Sequence, residues 1–262
     1  MDSLDVAKNG NVSMTDDFQS GGMQYAWHVP TYTARRASRQ SGLPLAWSGK
    51  EPAQPVMTRS RSTQLVAKRI IDVVLASLAV LALAPLLLIV AMAIKFTSPG
   101  KILFRQQREG LNGQLFGTLK FRSMRTDLCD DSGVDQTRKN DPRITPIGRL
   151  IRKTSIDELP QLFNVIMGDM SLVGPRPHVA GMIAGGVPYR ELVPYYAHRL
   201  DMKPGITGWA QANGLRGPTD EPSVARSRVD HDIAYCQNFS LWLDVKIMFQ
   251  TVQREFISGS GH

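Results

Sequence analysis

Cysteine is nearly absent from this 262-residue sequence, which contains only Cys129 and Cys236, far apart and without C-x-x-C spacing. A disulfide framework needs several paired cysteines, and a structural zinc site needs clustered Cys and His ligands. The sequence offers neither arrangement. We therefore expect two ordinary thiols in a reducing compartment.

Motifs of common nucleotide and nucleic-acid binders are missing as well. No G-x-x-x-x-G-K-[ST] loop occurs, and the glycine-rich stretch at 181–186 does not fit the G-x-G-x-x-G fingerprint. No helix-turn-helix, zinc or RNA-binding motif is present, and no repeat of solenoid period occurs. The sequence thus predicts no ATP, dinucleotide or nucleic acid as partner.

Positive charge is what the sequence has in excess. Lys and Arg total 31 against 23 Asp and Glu, a formal net charge of +8. Such an excess suits nucleic acid, anionic lipid or a phosphate-rich substrate. Because nucleic-acid motifs are missing, a lipid surface is the simpler partner.

One long apolar run follows a polar N-terminal region. Residues 1–63 are rich in Ser, Gly, Gln and Pro without sustained apolar periodicity, which predicts a mostly disordered tail. Residues 70–94 are then apolar except for Asp72, Ser77 and Pro85. As a helix this run would extend roughly 37 Å, enough to cross a bilayer core of about 30 Å. We predict a membrane helix within residues 64–100.

Two features favour a re-entrant membrane helix over a crossing one. Basic residues flank both ends of the run, with Lys68 and Arg69 before it and Lys95 and Lys101 after it, so the positive-inside rule assigns both ends to the cytoplasm. Pro85 removes a backbone hydrogen bond in the middle of the run and predicts a break there. A single span with a tolerated proline is the alternative.

The remaining sequence predicts an α+β fold that is predominantly α. Alternating apolar residues around the turn at 110–113 predict a β-hairpin within 101–124. After it, apolar periodicity and Pro or Gly breaks predict helices at 146–153, 159–167, 189–199, 224–237 and 240–256. Residues 101–262 would form the domain outside the membrane.

Adjacent carboxylates, Asp157 and Glu158, precede the helix predicted at 159–167. Ser155 and Glu158 have the spacing of a capping box, and a basic stretch including Arg152 lies just upstream. Such surroundings attract anions and keep a carboxylate ionised. An ionised aspartate can accept a phosphoryl group, and its neighbour can hold Mg²⁺. An acidic first turn that only complements the helix dipole is the alternative that these residues leave open.

A rigid Pro175-Arg176-Pro177 segment provides a further phosphate-binding candidate. The prolines fix the backbone on both sides of a guanidinium whose fork geometry suits bidentate phosphate contacts. His178 and His198 also lie beside basic positions. For each histidine, a phosphate contact and a packing role are both open.

Two other functions compete with phosphoryl transfer. Asp230-His231-Asp232 matches the D-x-D metal site of conventional nucleotide-sugar glycosyltransferases. It lies inside the helix predicted at 224–237, where a solvated polar face is the simpler role, and the alternating strands and helices of a Rossmann-type core are missing. A non-catalytic basic membrane scaffold is the other alternative.

Five segments, taken in order, closely resemble the bacterial sugar transferases, the monotopic polyprenyl-phosphate phosphoglycosyl transferases. They are KFRSM at 120–124, DPRIT at 141–145, TSIDELPQ at 154–161, NVIMGDMSLVGPRP at 164–177 and KPGITGW at 203–209. The resemblance extends over about residues 64–255 and leaves only the tail outside. Larger family members carry extra spanning helices ahead of this unit, so this sequence resembles the short form.

The resemblance implies a monotopic enzyme with a re-entrant helix at the cytoplasmic face of the bacterial inner membrane. It implies that Asp157 is the covalent nucleophile and that Glu158 binds Mg²⁺. It also implies a substrate-binding set around the phosphates of donor or lipid, namely Lys120, Arg122, Arg152, Pro175, Arg176 and Pro177.

The implied reaction is that of an undecaprenyl-phosphate hexose-1-phosphate transferase. Asp157 would attack the β-phosphorus of a UDP-sugar and release UMP, and undecaprenyl phosphate would then accept the phospho-sugar. The segment 214–240 is similar to members that initiate exopolysaccharide synthesis, with glucose favoured over galactose. The sequence leaves open the sugar, the lipid length and the oligomeric state, a homo-oligomer included.

Overall fold

A computed structural model describes residues 59–125, 141–215, 217 and 220–258 of the chain. The predicted tail lies outside this part except for residues 59–63, which are helical rather than disordered. Arg61 explains the difference, because its guanidinium donates to the carbonyl of Cys236 at 2.6 Å and holds this turn on the domain. Cys236 is a buried free thiol, and Cys129 lies outside the described residues.

The predicted membrane segment lies in α1 (Arg59–Thr97), a helix of 39 residues. Large apolar side chains stay exposed along it, including Ile70 at 60%, Leu81 at 72% and Leu88 at 64%. A core helix of a soluble protein would bury such residues, whereas α1 is long and apolar enough to cross a membrane. Its helical backbone continues through Pro85 without the predicted break, so the re-entrant arrangement stays a prediction.

The β-hairpin is confirmed. Strands β1 (Leu103–Glu109) and β2 (Leu115–Phe121) pair antiparallel, with Leu103 opposite Phe121 and Glu109 opposite Leu115. The turn requires positive φ at Asn112 and Gly113, 55° and 76°. Asn and Gly tolerate this left-handed conformation better than other residues do, so the turn chemistry follows from the sequence.

Most of the predicted helices are present. The predicted segments contain α2 (Pro146–Lys153), α3 (Gln161–Met167), α4 (Tyr189–Leu192), α6 (Pro222–Asn238) and α7 (Leu241–Ser258), whereas the short α5 (Trp209–Ala212) was not predicted. The single helix predicted at 189–199 is wrong. It divides into α4 and a 3-10 helix, Tyr196–Leu200, because Pro194 forces the preceding Val193 into an extended conformation.

Four short strands lie outside the hairpin in the described part of the chain. Strand β3 (Ser171–Val173) pairs in parallel with β6 (Gly205–Thr207), and β4 (Ile183–Ala184) pairs antiparallel with β5 (Val187–Pro188). The architecture is therefore mostly helical with a few short strands, as predicted for an α+β fold.

Both halves of α1 pack against the domain. Ala76 in the first half contributes to an apolar cluster with Leu162 of α3. Val90 in the second half contributes to another cluster with Phe121 of β2 and Ile151 of α2. These two clusters fix α1 against the elements that carry the predicted site.

Asp72, a polar exception in the apolar run, belongs to a buried polar network that we call the α1 anchor: Lys68, Asp72, Ser171, Tyr235 and Asp244. The Lys68 ammonium lies 2.7 Å from Asp244 and 3.6 Å from Asp72. The hydroxyls of Ser171 and Tyr235 donate to Asp72 and Asp244, each at 2.7 Å. Buried charges are tolerated when they are paired in this way, so Asp72 ties α1 to β3.

Candidate active site

Asp157 and Glu158 lie on a 3-10 turn, Ile156–Glu158, between α2 and α3. The predicted capping box is wrong. Ser155 has a left-handed backbone (φ 54°) and its side chain caps no helix, while the Glu158 carboxylate binds Lys120 and Arg176 instead. Two full positive charges bind the carboxylate more strongly than the single backbone N–H of a capping box would.

The Glu158 carboxylate is held by two cations from distant segments. Its Oε1 accepts from Lys120 Nζ at 2.8 Å and from Arg176 Nη2 at 2.7 Å, and Oε2 lies 3.4 Å from Arg176 Nη1. Burial alone would raise the pKa of Glu158, but the charges and hydrogen bonds of Arg176 and Lys120 bring that pKa well below its ordinary value. Glu158 is therefore ionised.

Asp157 has a different environment. Its side chain is 8% exposed, and its carboxylate has no hydrogen-bond partner among the described residues. Burial raises the pKa of Asp157, and the positive charge of Lys120 opposes this only in part. The expectation that basic surroundings keep a carboxylate ionised thus describes Glu158 better than Asp157. Adjacent carboxyl groups with pKa values driven apart are typical of sites with divided chemical roles.

The structure places three of the predicted basic residues around this pair. Lys120 projects from β2, Arg176 follows β3, and Arg152 of α2 lies close enough to Asp157 to lower its pKa. Burial lowers the pKa of Lys120, and the charge of Glu158 acts against it. The cations would therefore meet an incoming phosphate in a partly dehydrated setting, where electrostatic attraction is strong.

Arg122 has other contacts than those predicted. Its buried guanidinium donates to the Ser98 carbonyl at 2.7 Å and to the Ser98 hydroxyl at 2.8 Å, and it also contacts the Pro99 carbonyl. These groups follow the C-terminal end of α1, where unpaired carbonyls attract a cation. We revise the expected role of Arg122 from substrate binding to anchoring the end of α1.

Backbone contacts fix the Pro175-Arg176-Pro177 segment. The carbonyl of Pro175 accepts from Gly205, and that of Pro177 accepts from the Arg108 guanidinium at 2.6 Å. Just before this segment, a Cβ on Gly174 would lie 2.3 Å from the Lys203 carbonyl, so the close approach requires glycine. The prolines thus position Arg176 without reaching the carboxylates themselves.

Asn164 is a functional candidate that the sequence argument treated only as part of a motif. Its fully buried amide accepts from Leu119 N at 2.8 Å and donates to the Gly117 carbonyl at 2.9 Å. These bonds clamp β2 onto α3. Because Lys120 follows Leu119 directly, Asn164 sets the position from which Lys120 reaches Glu158.

Arg108 is a site residue that the sequence argument missed. Burial, followed by the charge of Arg176, lowers the pKa of Arg108 to about 10, while Glu158 opposes the change. The signal was in the hairpin register. Phe104 lies opposite Lys120, and residues two apart on a strand share a face, so Arg108 and Lys120 lie on the same face of the hairpin.

The histidines do not join this site. His178 is buried, and its Nδ1 lies 3.1 Å from the Tyr196 hydroxyl; burial brings the pKa of His178 well below its usual value. His198 lies 3.7 Å from Asp201. The packing alternative therefore describes His178.

The interpretation of Asp230-His231-Asp232 as a solvated polar face is wrong. Asp232 is buried with its Oδ2 2.6 Å from Arg199, and Asp230 accepts from the Tyr195 hydroxyl at 2.8 Å. Both carboxylates thus hold internal contacts. The D-x-D pattern arises from two structural pairings on α6 and offers no open metal site.

The Asp157–Glu158 pair fits Mg²⁺ in one particular way. No group of three or more His, Cys, Asp and Glu side chains suited to a metal occurs in the described part of the chain. A metal held wholly by protein ligands is therefore not built there. Mg²⁺ is commonly bound by one or two carboxylates together with substrate phosphates and water, and the pair can supply that share.

Comparison with known proteins identifies a family and several relatives. Residues 63–258 match the family model described as bacterial sugar transferase. The chain is 56% identical over 197 residues to the exopolysaccharide production protein PSS of Rhizobium leguminosarum bv. phaseoli, covering 75% of this chain and 98% of that protein.

Two longer relatives carry more specific names. The UDP-glucose:undecaprenyl-phosphate glucose-1-phosphate transferase of Escherichia coli K12 is 46% identical over 195 residues, covering 74% of this chain and 41% of that protein. The UDP-N-acetylgalactosamine-undecaprenyl-phosphate N-acetylgalactosaminephosphotransferase of Aeromonas hydrophila is 41% identical over 197 residues, with 74% and 44% covered. The chain spans less than half the length of these two relatives.

The match covers both the long apolar helix and the domain that carries Asp157 and Glu158, so it includes every element of the site described above. The resemblance inferred from the ordered motifs is confirmed, and the chain belongs to the bacterial sugar transferase family.

Proposed function

We propose that this protein transfers a hexose-1-phosphate, with glucose the favoured sugar, from a UDP-sugar to undecaprenyl phosphate and thereby initiates exopolysaccharide synthesis. The observation that carries the proposal is the divided pair at 157–158. Asp157 has an uncommitted carboxylate, while Glu158 is ionised and surrounded by Lys120 and Arg176. The name of the Escherichia coli relative supports the donor and the lipid acceptor, and that of the Rhizobium relative supports exopolysaccharide synthesis.

In the first step, an oxygen of ionised Asp157 attacks the β-phosphorus of the donor. The bond from that phosphorus to the bridging oxygen breaks, and UMP leaves with the bridging oxygen and its electron pair. The product on the protein is an acyl phosphate that carries the sugar. A carboxylate held by two cations, as Glu158 is, would be a poorer nucleophile than Asp157.

In the second step, a phosphate oxygen of undecaprenyl phosphate attacks the same phosphorus. The bond to Asp157 breaks, the carboxylate is regenerated, and the lipid diphosphate sugar leaves. The bond between the sugar and its phosphate oxygen stays intact in both steps. Lys120, Arg152 and Arg176 would stabilise the charge on the transferred phosphoryl group.

Glu158 is the residue that would hold Mg²⁺, and a bound metal would neutralise charge on the diphosphate. Lys120 and Arg176 bind Glu158 in the protein alone. They are therefore positioned to turn from this carboxylate to the donor phosphates. On this proposal, Glu158→Gln raises the Mg²⁺ concentration needed for half-maximal rate by about tenfold or more, as expected for one lost charged contact.

Contacts at both ends of α1 support a monotopic arrangement on the cytoplasmic face. Lys68 binds Asp244, and Ile94 packs against Phe121 and Ile151. On a straight helix, residues 68 and 94 are about 39 Å apart, more than a bilayer core of about 30 Å. A water-soluble domain cannot touch both ends of a spanning helix. The described α1 continues through Pro85 and meets both contacts, which favours an arrangement in which its two ends lie at the same membrane face.

Product analysis separates the proposed function from its alternatives. Purified protein is incubated with polyprenyl phosphate, Mg²⁺ and a panel of UDP-sugars, and the released nucleotide is identified. UMP together with a hydroxylamine-sensitive phospho-sugar on the protein is expected. Release of UDP would favour a conventional glycosyltransferase, and the absence of turnover with every donor would favour a scaffold. Tags at both ends of the chain should be protease-accessible from the cytoplasmic side only.

A further inference from the structure

We propose that Arg108 and Gln161 complete the donor site by binding the nucleotide-side phosphate, the one that departs in UMP. This inference rests on the proposed function and adds two residues to the donor site, beyond the carboxylate pair and the cations described around it. The observations that carry it are a partly buried guanidinium with no carboxylate partner among the described residues and a buried side-chain amide with no hydrogen-bond partner among them, both lining one depression.

The contacts of Arg108 are all to neutral groups. Nη1 donates to the Pro177 carbonyl at 2.6 Å, and Nη2 and Nε donate to the Gln106 amide oxygen at 2.7 Å and 3.2 Å. Among the residues that the structure describes, no carboxylate forms an ion pair with Arg108. Burying a charge without a counter-charge is costly, so a site with this arrangement is suited to an anionic ligand.

Gln161 provides an independent observation. Its side chain is 3% exposed, and within the described ranges its amide makes no hydrogen bond. The large majority of buried side-chain amides in proteins have a hydrogen-bond partner. Gln161 begins α3, three residues after Glu158, so its amide is available beside the reacting carboxylates.

Both side chains line the same narrow depression, together with Thr118, Lys120, Arg176 and Pro177. Lys120 and Arg176 also bind Glu158, so the depression begins where the carboxylate pair ends. Three cations line it, and Glu158 is the one carboxylate paired with any of them in the described part of the chain. This surplus of positive charge suits the two negative charges of a nucleoside diphosphate sugar.

Geometry favours the departing phosphate over the reacting one for Arg108. The reacting phosphorus must lie at Asp157, beside Lys120, whose charge lowers the pKa of that carboxyl. The Arg108 guanidinium is held instead at the Pro177 carbonyl, beside Arg176, and it is not among the charges that shift the pKa of Asp157. When the bridging bond breaks, negative charge develops on the nucleotide-side phosphate, and a guanidinium aimed at it stabilises the transition state.

Binding to the intact protein in detergent or nanodiscs tests the proposal. Uridine, UMP and UDP are titrated calorimetrically into wild type, Arg108→Gln, Gln161→Ala and the matched control Arg105→Gln. Arg105 is an exposed cation on the opposite face of the same strand. Arg108→Gln should weaken UMP and UDP binding about 10- to 100-fold and leave uridine binding unchanged, since a hydrogen bond to a charged group is lost. Gln161→Ala should weaken UDP binding about two- to tenfold.

Steady-state kinetics distinguish the donor phosphate from the lipid phosphate. Arg108→Gln should lower kcat/KM for the donor by the same 10- to 100-fold and leave KM for polyprenyl phosphate unchanged. Arg105→Gln should match wild type. Unchanged UDP affinity in Arg108→Gln would overturn the proposal, and so would a rise confined to the lipid KM, which would place Arg108 at the acceptor.

Two controls keep these outcomes interpretable. Arg108→Lys retains a cation that can reach the Pro177 carbonyl, so it serves as the test variant if Arg108→Gln melts at a lower temperature. Its UDP affinity should lie between that of wild type and that of a neutral variant. Wild-type UDP affinity in Arg108→Lys would contradict phosphate binding by the guanidinium. Wild-type UMP release is measured in parallel. Its absence would contradict the proposed function itself, whereas UMP release with an unaffected Arg108→Gln contradicts this inference alone.

Discussion

The α1 anchor and the Asp157–Glu158 turn both bury charged side chains, but they satisfy those charges differently. In the anchor, Lys68 lies between Asp72 and Asp244, and a hydroxyl group donates to each of the two carboxylates. At the turn, cations outnumber their paired carboxylate, and Asp157 has no partner among the described residues. Complete pairing stabilises a fold, whereas incomplete pairing leaves groups free to bind a ligand.

Asp157→Asn should separate the two regions most sharply. An amide cannot form the acyl phosphate, so UMP release should fall by at least about 10⁴-fold while the melting temperature stays near that of wild type. Glu191→Gln, an exposed carboxylate on α4, is the matched control and should retain full activity. Near-normal turnover of Asp157→Asn would remove Asp157 from the role of nucleophile.

Lys68→Met should have the opposite profile. The variant leaves Asp244 and Asp72 buried without their cation. Breaking a buried ion pair in this way lowers the free energy of unfolding by about 3–5 kcal/mol. Denaturation followed in detergent should show this loss, while the protein that remains folded keeps a normal KM for the donor. A variant with unchanged stability and a raised donor KM would mean that the anchor belongs to the active site.

Asn164→Ala should affect stability and activity together, because Asn164 links the fold to the site. Leaving Leu119 N and the Gly117 carbonyl without partners costs about 1–3 kcal/mol, and a displaced Lys120 should raise the donor KM. Asn213→Ala, which removes an exposed amide bonded to Trp209, is the control and should do neither. A stability loss with unchanged KM would show that Lys120 is positioned without this clamp.

His178→Gln should give the smallest effect, confined to acidic pH. Burial holds the pKa of His178 well below its ordinary 6.5, so the folded protein favours neutral imidazole. The unfolded chain therefore binds a proton first as pH falls, and stability is lost from about pH 6.5 downward. Melting temperatures between pH 7 and pH 5 should fall less steeply in the variant. Equal slopes would show that other groups control acid sensitivity.

Local patterns predicted much of the architecture. Interactions between residues close in sequence determine the long apolar helix, the hairpin turn at Asn112 and Gly113, and helix α2. The helix predicted at 189–199 failed because one proline outweighed the periodicity around it. A proline inside an amphipathic pattern is therefore as informative for predicting a helix as the apolar periodicity itself.

Long-range pairing accounts for the errors at the site. The predicted capping box does not form because the Glu158 carboxylate binds Lys120 and Arg176, which lie 38 and 18 residues away in the sequence. Arg122 was expected near phosphate but binds the end of α1. Asp232 was expected on a solvated face but is buried in an ion pair with Arg199. None of these partners can be chosen from spacing along the chain.

The sequence by itself determined a long apolar helix, a hairpin, most of the helices and, through its ordered motifs, the family and the carboxylate pair. Tertiary structure alone decided that Glu158 is held by two cations while Asp157 pairs with none of the residues that the structure describes, and that Arg108 joins Lys120 on one face. The physical reason is the range of the forces involved. Helices and turns follow from hydrogen bonds between near neighbours, whereas pairing and burial of charges are fixed only when distant segments pack.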